Sequence, residues 1–149
     1  TEAIDKGYFV NSRMFVIACF ALSAAVPLWA AQSYLAINRL NVVPITPDEF
    51  EVIEDRGAGA RDMWCAAADY VQAIGRDRTR LRMYVKGVRG PARTVPNRIG
   101  VVFTINPDEK LRDTAPSYSV TVTNLGENLP VGHARTFCDA FIDDLFDRF

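Results

Sequence analysis

Three cysteines and a single histidine are the residues of this chain best suited to covalent or metal chemistry. Cys65 stands beside Trp64 and Cys138 beside Phe137, each midway along a stretch with helical apolar spacing. Reactive dithiols usually lie close in sequence, at a helix start and near the surface, so this pair reads as a structural disulfide instead. Such a bridge closes a loop of about 73 residues, worth about 4 kcal/mol in chain-entropy terms, and it forms in an oxidising compartment. Cys19 lies in an apolar run, where a thiol behaves as a small hydrophobe. His133 precedes Cys138 by five positions, but a bridged sulfur is no nucleophile, and the imidazole reads as a surface group near a helix start. Zinc and haem attachment need ligands clustered in short runs, which are missing here, so neither metal nor cofactor is expected.

Two further patterns resemble active-site chemistry and read more simply as structure. Gly57-Ala58-Gly59 lies between a strand pattern and a helix pattern, where backbone donors can hold a phosphate. The dinucleotide fingerprint needs a third glycine at position 62, and Asp62 stands there; a tight turn is expected. Asp143 and Asp144 are neighbours, but adjacent helix positions point in different directions and do not form an acid/base pair.

The strongest surface signal is basic. Arg76, Arg78, Arg80, Arg82, Lys86, Arg89, Arg93 and Arg98 are opposed locally only by Asp77, and Arg78, Arg80, Arg82 and Lys86 fall on one face of a strand pattern. That row suits an acidic partner surface or anionic lipid headgroups. Equally, Asp48, Glu49, Glu51, Glu54 and Asp55 form an acidic cluster able to neutralise it. The overall balance of 17 basic and 18 acidic residues excludes binding of nucleic acid through bulk charge.

Location is the most legible property. From Met14 to Asn38 runs a 25-residue stretch without charge, bracketed by Arg13 and Arg39. As a helix it would be about 37 Å long, against about 30 Å of hydrocarbon. The expected organisation is therefore a cytoplasmic N-terminus (1–13), a transmembrane helix (14–38), a Pro-containing linker (39–48) and a periplasmic domain (49–149). A cleaved signal ending at Ser23-Ala24-Ala25 is the alternative, but apolar sequence continues through Trp29 and Leu35, and Thr1 fits loss of an initiator methionine. Pro27 bends such a helix. Trp29 suits an interfacial position, and Ala21, Ala24 and Ala25 let a second helix approach closely. Lys6 and Arg13 outnumber Arg39, which places the N-terminus inside.

Beyond the linker, Phe50–Asp55 alternates as a strand. Ala60–Ile74 has helical spacing, with Trp64, Ala67, Ala68, Val71 and Ile74 on one face and Gly75 as its stop. Thr79–Val88, Arg98–Asn106 and Ser117–Leu125 alternate with period two, and Val131–Asp147 closes the chain as an amphipathic helix. The expected fold class is α+β: a single N-terminal transmembrane helix followed by a small two-layer domain of order β-α-β-β-β-α. Its sheet would be an antiparallel meander with both helices on one face.

These features predict a non-enzymatic, single-pass accessory subunit of a larger integral membrane complex in a bacterial inner membrane, with an energy-transducing assembly as one such setting. Docking would use the apolar helix and the basic strand face. The alternative is an independent anchored module that binds a periplasmic ligand or peptide. A membrane-bound hydrolase or thiol oxidoreductase would instead depend on Cys65 or His133.

Overall fold

A computed structural model describes residues 32–76, 80–117 and 119–147. The elements run β1 (Tyr34–Leu35), β2 (Asn41–Pro44), β3 (Glu49–Ile53), α1 (Ala60–Ala73), β4 (Arg82–Pro91), β5 (Ile99–Thr104), α2 (Glu109–Arg112), β6 (Asn128–Pro130), α3 (Val131–Thr136) and α4 (Asp139–Phe146). Among the described residues the six strands form one antiparallel sheet in the order β1-β2-β3-β5-β4-β6. The described residues thus form a small α+β domain, as the periodicities predict.

Strand alternation sorts side chains onto two unlike faces. Phe50, Val52, Met83, Val85, Val101 and Phe103 point to one face and are fully buried with α1 and Val131 and Ala134 of α3. Trp64 is wholly enclosed, packs edge-on against Phe103 at 4.8 Å and donates its indole N–H to Val120 O at 2.9 Å. α1 starts where Asp62 Oδ2 accepts the Gly59 N–H at 2.7 Å. It ends in a Schellman turn: Gly75 N–H bonds Gln72 O, Arg76 N–H bonds Val71 O, and Gly75 adopts φ +68°.

The opposite face is mixed, with Ile53 and Val102 buried beside polar residues, and carries a buried acid. The carboxyl of Glu51, 1% exposed, accepts hydrogen bonds from Arg93 N–H, Thr94 N–H and the Thr94 hydroxyl at 2.6–3.0 Å, so the loop after β4 folds over it. It lies directly above Gly100, where an added Cβ would stand 2.8 Å from Oε1. Because the carboxyl is held on several sides, it cannot yield cheaply. Gly100→Ala should therefore destabilise the domain by about 1–3 kcal/mol. Urea unfolding of the purified chain checks this; an unchanged midpoint would refute the close packing.

Four expectations change. The meander is replaced by an arrangement in which β5 lies between β3 and β4. A helical crossover through α1 joins parallel strands, and the hairpin partner β5 fills the gap between them. Among its described residues, Ser117–Leu125 forms no strand. Ser117 Oγ, Ser119 Oγ and Thr121 Oγ1 each accept the N–H two residues on, at 2.8, 3.1 and 3.3 Å. These local bonds draw the backbone donors away from a ladder. The final helix is broken into α3 and α4 at Phe137–Cys138, where the N–H groups reach back only three residues, to Ala134 and Arg135. Finally, the expected linker 39–48 is not a leash: Asn41–Pro44 is β2, paired with β3, with Val42 fully buried.

Candidate functional site

The end of the apolar run is built into the domain. Residues 34–38, expected at the end of the transmembrane helix, are instead β1 and the turn after it, with Ala36 buried. Residues 14–31 of that expected span, with Ala21, Ala24, Ala25, Pro27 and Trp29, lie outside the described residues, as does the segment 1–13 expected to be cytoplasmic. Among the described residues, no helix is long and apolar enough to cross a membrane.

Asp69 of α1 holds this entry strap. It is 8% exposed; Oδ2 accepts the Tyr34 hydroxyl at 2.8 Å and the Ile37 N–H at 2.9 Å, and Oδ1 forms a close ion pair with Arg135 of α3. The Tyr34 ring lies 5.7 Å from that of Tyr70. Burial, the hydrogen bond to Asp69 and the charge of that carboxylate push the Tyr34 hydroxyl up to about 12, opposed by Arg135. Downstream, Asn38 Nδ2 donates to Asp62 O at 2.7 Å, and Arg39 completes a tight turn at φ +65°. One carboxylate thus joins the incoming chain, the central helix and α3. Sequence patterning did not reveal it, because Tyr34, Asp69 and Arg135 are widely separated and Asp69 is off the apolar stripe.

Register gives the strap a direction. Tyr34 faces Val42 and Leu35 faces Asn41, antiparallel, so the chain before Tyr34 runs toward the Pro44 end of β2. At that pole Asp48, Arg76, Leu81, Ile105 and Asn106 line one cleft, and Arg76 pairs with Asp48 at 3.3 Å.

The basic row is only partly free. Arg80 is exposed. Arg82 donates to Asn128 Oδ1 at 2.7 Å and to Asn128 O at 3.1 Å. Lys86 forms a close ion pair with Glu49, and Arg89 grips Glu54 with two bonds of 2.5 and 2.8 Å. Arg98 reaches Glu54 O and Asp55. Arg78 lies outside the described residues. The acidic stretch 48–55 therefore engages much of the row across the sheet.

Cys65 and Cys138 are fully buried and stand at disulfide distance, with Cα atoms 5.1 Å apart. His133 is exposed, with its ring 5.4 Å from Phe137. The Gly57–Gly59 turn has its Gly59 donor occupied by Asp62. Among the described residues, no group of three or more His, Cys, Asp or Glu stands where it could hold a metal ion. Comparison of the chain with protein-family models finds no match, and neither does comparison with curated proteins or with solved structures.

Proposed function

We propose that this chain is a non-enzymatic, single-pass accessory subunit of a larger membrane complex, with residues 14–31 as its anchor and the domain on the periplasmic side. The observation that carries this reading is the clamp at Asp69. Only Gln32 and Ser33 separate the apolar run from Tyr34, which is already in the sheet and bonded to α1. A domain tethered so closely is held at the membrane surface in a set orientation, as docking beside a neighbouring span demands. A ligand-capturing module gains from a longer, freer tether.

The shortened anchor remains adequate in length. Residues 14–31 carry no charge, and as a helix they would be about 27 Å long, within the usual range for a span. Export is supported by the buried cysteine pair, which favours an oxidising compartment. Because Lys86, Arg89 and Arg98 are engaged by the domain's own acids, the intramembrane face carrying Ala21, Ala24 and Ala25 is the stronger docking element.

Mild detergent extraction of native membranes, followed by affinity purification of the chain, tests the reading. Larger integral subunits should co-purify in fixed ratio, and an Ala24→Leu/Ala25→Leu variant should lose them while remaining in the membrane. A free monomer under all detergent and salt conditions would refute it.

A further inference from the structure

We infer that the pole of the domain formed by Ile45, Ile74, Arg76 and Arg80 rests on the anionic headgroup layer of the bilayer. The inference rests on the anchored reading above and adds which part of the domain meets lipid.

The chain enters at this pole, since β1 runs antiparallel to β2 and residues before Tyr34 lead toward Pro44. The described chain begins at Gln32, and Gln32 and Ser33 lead into β1 from this side. The pole has the composition of a membrane-contacting surface. Ile45 is 40% exposed, in a turn closed by its own N–H to Glu49 O. Ile74 is 39% exposed at the end of α1, although helical spacing assigns it to the buried face. Both isoleucines occupy chain reversals, where polar residues ordinarily stand.

Basic residues accompany them. Arg76 follows Gly75 and keeps about half of its side chain exposed while pairing with Asp48. Arg80 is exposed just before β4. Apolar side chains beside arginines suit an interface in which alkyl groups enter the headgroup boundary and guanidinium groups meet phosphates. Among the described residues, the acids at this end include Asp48, engaged by Arg76, Glu49, paired with Lys86, and Asp108, whose side chain accepts the Leu111 N–H of α2, together with Glu109.

Val88 and Ile99 are also exposed but lie toward the other end of β4 and β5, Val88 about 20 Å along the strand from Arg82 at ~3.3 Å per residue. They serve as an internal control.

The test uses the full chain with Cys19→Ala, reconstituted in phosphatidylcholine nanodiscs with or without phosphatidylglycerol. A nitroxide is attached at Ile45→Cys, Ile74→Cys or Val88→Cys, and its collisions with oxygen and with a water-soluble nickel chelate are compared. In anionic discs the oxygen-to-nickel ratio should be at least threefold higher at positions 45 and 74 than at 88. Arg76→Glu/Arg80→Glu should bring the three positions together. Equal ratios in a chain that co-elutes with the discs would overturn the orientation and leave the anchor standing. Failure to co-elute would overturn both. A higher ratio at 88 than at 45 and 74 would assign the lipid contact to the opposite pole.

Discussion

Without reductant, fully denatured chain taken from cells should present one thiol to a mass-tagged maleimide, that of Cys19; with reductant it should present three. Cys65 and Cys138 stand at bonding distance in the folded domain, and neither is exposed. Their bridge links α1 to the junction between α3 and α4 across a sequence separation of 73. Closing a loop of that length removes unfolded-state freedom worth about 4 kcal/mol, a large share of the ~5–15 kcal/mol that stabilises an ordinary domain. The Cys65→Ala/Cys138→Ala pair should therefore lower stability by about 3–4 kcal/mol, read as a shift in the urea midpoint of the detergent-solubilised chain. Reductant should produce a similar shift in the parent chain and none in the double variant. Three reactive thiols without reductant would overturn both the bridge and the oxidising location that depends on it.

Asp69→Ala should be the most damaging single change outside the apolar core. It removes one acceptor from three donors, the Tyr34 hydroxyl, the Ile37 N–H and the Arg135 guanidinium, and leaves a cation facing a partly buried gap. Breaking a fully buried pair costs about 3–5 kcal/mol; the Arg135 side chain is 30% exposed and can turn toward water, so about 2–4 kcal/mol is expected here. The loss should concentrate in the strap. Trypsin cleavage after Arg39 in membrane vesicles should release the domain several-fold faster than in the parent. Equal release would show that pairing between β1 and β2 alone holds the entry.

The same clamp predicts alkaline sensitivity with a definite sign. The Tyr34 proton is held more tightly in the folded state, up to about 12 against an ordinary 10, with burial as the main cause. The unfolded chain thus releases that proton first as pH rises. The associated stability is fully present below pH 10 and is lost as pH climbs through 12. Tyr70 shifts in the same direction through burial and adds to the slope. Tyr34→Phe should flatten this decline; an unaltered slope would remove Tyr34 as its source.

Local patterning carried some elements accurately and misled in others. Period-two alternation identified Met83 and Val85, and Val101 and Phe103, as core-facing, because a strand's geometry forces alternate residues to one side. The same alternation in Ser117–Leu125 did not make a strand among its described residues, since its hydroxyls bond their own backbone, a competition that apolar spacing does not register. The apolar run around Tyr34–Asn38 matched a membrane helix in composition, yet Ala36 is buried in the domain and Tyr34 is held by a carboxylate 35 positions away. Basic residues on a strand suggested an open docking face; the acids that occupy Lys86 and Arg89 are Glu49 of β3 and Glu54 just after it.

What the order of residues determined by itself was short in range: a helix expected over Ala60–Ile74 and observed over Ala60–Ala73, ended by Gly75, and the alternation that gives β4 and β5 their inward sides, together with Cys65 and Cys138 as the one available pair. Tertiary structure alone decided that β5 lies between β3 and β4, that Glu51 is buried over Gly100, and that Asp69 ties the incoming chain to α1 and α3. Periodicity reports how a residue relates to its near neighbours. Strand order and buried carboxylates depend on groups far apart in the chain, which meet only when the whole core closes.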